Sequence, residues 1–226
     1  MELITAPIVV VLVSGAAMPG DARMGFYNDV ILPRLCDLAM RNKELAPYRK
    51  RAIRAAQGRV LEIGIGSGRN LPFYGATVKQ VVGLEPAPKL LEMARHAPHP
   101  DTPVDFVEAS AEAIPIEDRS IDTVVTTWTM CSIPDVDRAM TEVRRVLKPG
   151  GKLVFVEHGR APEPRVRWWQ DRLTPAWTRI SGGCHLNRDI ADVLTRSGFR
   201  IDEMRTGYMN GLKPMTFMYE GQASPC

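Results

Sequence analysis

Arg59-Val60-Leu61-Glu62-Ile63-Gly64-Ile65-Gly66-Ser67-Gly68-Arg69-Asn70 is the stretch that decides the fold of this chain. Val60, Leu61 and Ile63 read as a buried strand. Three glycines follow at alternate positions, and Asn70 opens a segment read as a helix. Gly64, Gly66 and Gly68 remove side chains where the backbone turns sharply and a ligand approaches closely. A second strand, Gln80-Val81-Val82-Gly83-Leu84-Glu85, ends in a carboxylate about 20 residues beyond the first glycine. An acid there is placed to accept hydrogen bonds from both hydroxyls of a ribose. A dinucleotide-binding turn calls for glycine where Arg69 stands, and Glu62 is out of character for such a site.

Outward from this motif, strands and helices alternate. Phe26 to Ala55 reads as one or two helices, with Ile31, Leu35, Leu38 and Ala39 at helical spacing and Pro33 and Pro47 as punctuation. This part is expected to lie over the ligand as a cap. Asn70 to Tyr74 starts a helix in which Pro72 fits only the first turn. Ala87 to His96 is a helix, and Val104 to Glu108 and Ile121 to Thr127 are strands. The second of these is almost wholly apolar or β-branched, as a central parallel strand should be. Asp135 to Leu147 is an amphipathic helix with Val136, Met140, Val143 and Val146 on one face. Lys148-Pro149-Gly150-Gly151 stops it, and Lys152 to Glu157 is the next strand. Arg188 to Ser197 is a helix capped by Gly198. Phe199 to Met204 and Met215 to Tyr219 close the sheet as an antiparallel pair. The alternation demands a mostly parallel sheet with helices on both faces. No repeat or second core is visible.

A chain of 226 residues buries one full α/β core. Its formal net charge of +3 is too small and too dispersed to argue for nucleic acid as a partner. The basic run Tyr48 to Arg54 reads either as a solvated helix face or as a contact for an anionic surface or ligand. Cys36, Cys131, Cys184 and Cys226 form no CxxC pair and no zinc spacing, so no metal is expected. A reduced, cytoplasmic setting is the default. Residues 1–23 stand apart from the single domain expected over 24–226. Leu3 to Met18 is apolar, and Gly15-Ala16-Ala17 resembles a small-residue cleavage site. Yet a signal peptide needs a positive start, and Glu2 is the only early charge. The run is also short for a spanning helix. Three readings stay open: a misassigned start with Met24 the initiator, a peripheral membrane anchor, or an extra strand or arm.

Glu62-Ile63-Gly64-Ile65-Gly66-Ser67-Gly68 and Glu85 together resemble motifs I and II of the class I S-adenosylmethionine (SAM) methyltransferases. From Leu61 to Phe199 the chain is similar to the broad methyltransferase-11 type. Glu108-Ala109-Ser110-Ala111-Glu112-Ala113-Ile114-Pro115 is similar to the loop that usually carries an Asp beside the adenine, with Ser110 in that place here. Asp118 to Asp122 and Arg145 to Gly151 also match. The resemblance implies a Rossmann-like fold with a seven-stranded, mostly parallel sheet, and SAM as cofactor. The implied cofactor residues are Tyr27, Glu62, Gly64, Gly66, Gly68, Asn70, Glu85, Pro86, Ser110, Ala111, Glu112, Thr127 and Trp128. Asn28 is a further candidate on the cap.

A narrower resemblance covers the C-terminal half. Met130-Cys131-Ser132-Ile133, Glu157-His158, Pro175-Ala176-Trp177 and Gly183-Cys184-His185-Leu186-Asn187-Arg188 resemble segments of the membrane-associated alkyl-thiol methyltransferases of animals, with His185 where those enzymes have Asn. It suggests a small acceptor, a thiol or hydrogen sulfide, with phospholipid amines and quinones as alternatives. A non-catalytic SAM-binding protein is a reading of another class, and a nicotinamide oxidoreductase is disfavoured by Arg69 and Glu62. Acceptor pockets of open α/β folds form beyond the carboxyl ends of the strands. Cys131, Ser132, His158 and His185 are candidates there, with Trp168, Trp169 and Trp177 as walls. His158 reads as a general base suited to neutral pH, or as a loop-shaping histidine. His185 reads as functional or as part of a lid, and Cys131 and Cys184 as pocket lining or as chemical participants. Of Trp168 and Trp169, at least one is expected in the core. Peripheral membrane contact is an expectation from the apolar start and the basic helix.

Overall fold

The computed structural model describes residues 27–99 and 101–226. The apolar start and Met24 lie outside the described residues. Seven strands form one sheet: β1 Gly58–Ile63, β2 Val78–Leu84, β3 Val104–Val107, β4 Ile121–Thr127, β5 Leu147–His158, β6 Phe199–Tyr208 and β7 Phe217–Pro225. Their order is β3-β2-β1-β4-β5-β7-β6. β1 to β5 run parallel, while β7 pairs antiparallel with both β5 and β6. Each of β1, β2 and β4 buries both faces, which explains their unbroken Val/Ile/Leu character.

Register sorts these residues into two cores. Leu61 pairs with Val82 and Val124, and Val124 with Leu153. All four point into the core that also holds Met140, Val143 and Phe199. On the opposite face Val60, Val81, Val125 and Val154 join Ile53, Leu71 and Leu91. Burial of each such side chain contributes about 1.5–3 kcal/mol.

The helices are α1 Leu32–Met40, α2 Ala46–Arg54, α3 Pro88–Arg95, α4 Val136–Val146, α5 Pro164–Ile180, α6 Ile190–Arg196 and α7 Lys213–Thr216. A π-helical turn at Tyr27–Ile31 and a 3-10 turn at Lys43–Leu45 complete the cap formed by α1 and α2. α4 starts where expected because the Asp135 side chain accepts the Arg138 N–H at 3.0 Å.

Three expectations are corrected. The helix expected from Asn70 is a single 3-10 turn, Leu71–Phe73. Pro72 lacks an N–H to continue it, and β2 begins at Val78, leaving no room for more. Lys148 to Gly151 does end α4, but as the first residues of β5, with Leu147 paired to Ile121. Neither Trp168 nor Trp169 is core: they are 49% and 47% exposed, stacked edge-to-face at 4.8 Å. α5 buries Val166, Gln170 and Thr174 instead, a stripe that the two tryptophans flank.

Candidate active site

The strand order changes direction between β1 and β4, so a crevice opens beyond their carboxyl ends. The glycine turn leaves β1 at this point. Gly64, Gly66 and Gly68 have φ of 66°, 56° and 77°, a region that side chains disfavour. Their surroundings differ. A Cβ on Gly64 would collide with the Thr129 side chain, and one on Gly68 would lie 2.8 Å from Ala97. A Cβ on Gly66 would meet nothing nearer than 3.9 Å, so this glycine borders open space. Glu85 directly follows β2 beside it and accepts N–H bonds from Gly66 and Ala87, both at 3.0 Å. Burial raises the Glu85 carboxyl above its ordinary range, partly offset by those two N–H groups. Pro86 is exposed next to it.

Glu62 and Asn70 are buried below the turn, each 1% exposed. Glu62 accepts from Asn70 Nδ2 at 2.8 Å and from the Tyr74 hydroxyl at 2.7 Å. Asn70 also donates to Thr127 Oγ1 at 2.9 Å and accepts from Arg49 at 2.9 Å. These side chains therefore brace the turn against β4 and the cap. Burial pushes Glu62 up to about 7, against the donors and the charge of Arg49. Burial also lowers Arg49 to about 10. Arg49 lies 4.8 Å from the centre of the Trp128 ring. Of the basic run, Arg49 is thus neither solvated nor turned to a surface.

The cap reaches the turn through a second buried residue, Asp37 on α1. Asp37 accepts from Ser67 Oγ at 2.6 Å, and from Arg69 Nε at 3.0 Å and Arg41 Nε at 3.1 Å. Burial works to raise this carboxyl, but the hydrogen bonds outweigh it and hold it below its ordinary value. Arg69, which stands where a dinucleotide turn has glycine, is an anchor for the cap. Tyr27 donates its hydroxyl to the Ile180 carbonyl at the end of α5. The side chain of Asn28 is not among those described.

In the loop after β3, Ser110 Oγ donates to Glu112 at 3.0 Å, Glu112 accepts the Asp135 N–H at 2.7 Å, and Ala111 is buried. At the end of β4, Trp128 has a φ of 53°. A bulky residue in this region is strained. Its N–H is fixed to the Val156 carbonyl at 2.7 Å, and the Thr129 N–H to buried Glu157 at 3.1 Å.

Beyond β4 and β5 the sulfur residues meet. His158 Nε2 lies 2.8 Å from Cys184 Sγ, and the ligand atoms of Cys131, His158 and Cys184 are all within 4.8 Å of one another. Trp177 Nε1 donates to Cys184 Sγ at 3.4 Å. Hydrogen bonding from Cys184, acting against burial and aided by His158, holds the Cys131 thiol well below its ordinary range. The same sharing, with burial, pushes Cys184 well above it. His158 is raised because the neighbouring Cys131 outweighs burial. His185 stands outside this trio. Its N–H bonds the Cys131 carbonyl at 2.9 Å, and Arg188 reaches the carbonyls of Met130 and of Ile133, the latter at 2.8 Å. Together they fix the loop that carries Cys131. Burial and the nearby Glu85 and Cys131 push the Cys36 thiol of α1 up to about 11.

Asp37, Arg49 and the pairing of Cys184 with His158 are contributions that the sequence did not reveal. Asp37 gave one signal: a charge among the apolar positions of α1. Arg49 was hidden in a basic run.

A methyltransferase-domain family model matches residues 61–155. Human thiol S-methyltransferase TMT1B is 32% identical over 201 residues, covering 83% of this chain and 80% of that protein. Rat TMT1B is 36% identical over 138 residues, 58% of this chain, and the match spans only 55% of the rat protein's length. A solved SAM-dependent methyltransferase of Thermotoga maritima shares the fold, with a TM-score of 0.63 at 22% identity over 87% of this chain and 99% of that one. With the glycine turn, its acid and the strand order in place, the chain belongs to the class I SAM-dependent methyltransferases, in the family that includes the thiol S-methyltransferases.

Proposed function

We propose that this chain methylates a small thiol or hydrogen sulfide, with SAM as methyl donor. The observation that carries the acceptor assignment is the convergence of Cys131, His158 and Cys184 beyond β4 and β5, beside the turn that holds Trp128. The residues present fit SAM, because Gly66 leaves an open cradle in the turn and the Glu85 carboxylate stands at its N–H. When bound, SAM supplies an electrophilic methyl group on a sulfonium. Glu85 binds the ribose hydroxyls, and Gly66 lets the methionine portion approach the backbone. Ser110, Ala111 and Glu112 border the adenine, chiefly through backbone groups. Thr127 and Trp128 form the wall toward the acceptor. Cys131 and His158 are buried, so the acceptor end excludes water and favours a soft nucleophile over a hydrated one. Arg188 and His185 hold that end in one geometry, which is most of what an in-line transfer needs.

The test is transfer of labelled methyl from SAM to hydrogen sulfide, small alkyl thiols, phosphatidylethanolamine and a demethylated quinone. Labelled thioether or methanethiol is the expected product. Label in the lipid or quinone alone would overturn the thiol assignment while keeping the fold and cofactor. SAM binding with no labelled product from any thiol would favour the non-catalytic reading.

A membrane-borne acceptor is the second reading, favoured by Trp168, Trp169 and Ile180, which are exposed on α5. Among the described residues no helix is long and apolar enough to cross a membrane, and this reading takes the contact through α5 as peripheral.

A further inference from the structure

Cys131, His158 and Cys184 come from three separate places: the loop after β4, the end of β5 and the loop after α5. Their contacts are chiefly with one another, His158 Nε2 lying 2.8 Å from Cys184 Sγ, with Trp177 Nε1 donating to the same sulfur. His158 Nδ1 is buried without a hydrogen bond among the described residues. Outside the trio, the Cys131 sulfur makes only long contacts, 3.7 Å to the Trp128 carbonyl and 3.5 Å to Ser132 Oγ. The nitrogen that faces the sulfurs is Nε2, so the three residues present one imidazole nitrogen and two sulfurs to a common point, and Nδ1 lies on the other side of the ring. Two sulfurs and one imidazole nitrogen are the donor set of a thiophilic divalent ion.

We propose that Cys131, His158 and Cys184 form a zinc site with three protein ligands and an open fourth position, and that this position takes the sulfur of the acceptor. Tetrahedral zinc separates such ligand atoms by roughly 3.5–3.8 Å. The cluster already lies within 4.8 Å, and its short contact from His158 to Cys184 opens by about 1 Å to admit the ion. Binding releases one proton from each of Cys131 and Cys184 to solvent, and the two thiolates balance the charge of the ion. A thiol entering the fourth position releases its proton to solvent likewise and is held as thiolate. Two of the three ligands have supporting contacts. Trp177 donates to the Cys184 sulfur, and Arg188 clamps the loop on either side of Cys131. A ligating His158 is not a base, so the ion takes over thiol activation from the histidine. The identity of the fourth ligand rests on the thiol reading above; the metal site itself does not.

The test uses the untagged full-length chain, reduced, with zinc and cobalt as probes. After dialysis we expect about one zinc ion per chain. Cobalt in its place should give a thiolate-to-metal charge-transfer band. Cys131→Ser, Cys184→Ser and His158→Gln should each weaken zinc more than a hundredfold, and Trp177→Phe about tenfold, as for an outer-shell partner. Cys226→Ser, exposed and remote, should change nothing. If the ligand variants fail to fold, stoichiometric zinc should still protect Cys131 and Cys184 of the unaltered chain from alkylation, read by peptide mass spectrometry. Less than about a tenth of an ion per chain after zinc loading, or a cobalt band that survives Cys184→Ser, would overturn the site. Zinc binding without thiol methylation would leave the site standing and sink the acceptor assignment. Thiol methylation by fully metal-free protein at an undiminished rate would keep the acceptor assignment and overturn the placing of its sulfur in the fourth position.

Discussion

Gly64 and Gly66 share a backbone conformation but answer to different constraints. At Gly64 a methyl group would collide with Thr129 across the strand ends. At Gly66 it would protrude into the crevice. Gly66→Ala is therefore expected to fold, losing about 1–2 kcal/mol to its left-handed backbone, yet to lose SAM binding. Gly64→Ala should lose stability outright. Thermal melts beside equilibrium SAM binding check the pair, and equal melting temperatures for the two would refute the distinction. Glu85→Ala should weaken SAM by about 1–3 kcal/mol, the typical loss for a charged hydrogen-bond partner; unchanged titration calorimetry would remove Glu85 from the site. The glycines and Glu85 were legible because backbone sterics and spacing within one β-turn-β unit write them into adjacent sequence. Glu62 and Asn70 were legible by position only. As buried side chains whose groups bond to protein, they brace the turn.

At the scale of elements, the cap is joined to the cofactor turn by buried polar contacts from both of its helices. Asp37 of α1 gathers Ser67, Arg69 and Arg41, and Arg49 of α2 reaches Asn70. Asp37→Ala strips the acceptor from Ser67 and Arg69 and should cost about 3 kcal/mol or less of cap docking. Limited proteolysis within residues 32–54 should speed up and SAM affinity should fall together; a cleavage rate like that of the unaltered chain would show that the cap holds by packing alone. The sequence could not show this joint, because the cap residues and their partners in the turn lie 21 to 32 residues apart. The strands were readable, since parallel strands buried on both faces must be continuously apolar. α5 was not, and the reason is physical. Its buried stripe contains Gln170 and Thr174, which bond to Gly159, Ala161 and Pro214 or back onto the helix itself, so no apolar period marks it. The two prominent apolar residues, Trp168 and Trp169, face outward.

For the whole molecule, the buried Glu62 ties stability to pH. Its carboxyl is raised from 4.5 to about 7 in the folded chain. The folded state thus keeps a proton that the unfolded chain releases. This contribution is fully present below about pH 4.5 and is lost as pH rises through about 7, a span of up to about 3 kcal/mol. Glu62→Gln keeps an acceptor for Asn70 and removes the titration. Urea unfolding at pH 5 and pH 8 should show a smaller difference for the variant than for the parent chain; equal differences would show that Glu62 is ionised throughout. The global architecture was legible from alternation alone, including the closing antiparallel pair. The gathering of Cys131, His158 and Cys184 was not, because only the finished sheet and the loop after α5 bring them together. One last property follows from the order β5-β7-β6. β6 is translated before β7 but hydrogen-bonds only to it, so it emerges from the ribosome with no neighbour to join. The early strands can assemble while the chain is still growing. β5 then waits with an open edge, and β6 with no docking place, until β7 slides between them. That interval, with bare strand edges, is when a holding chaperone would matter most to the yield of this protein.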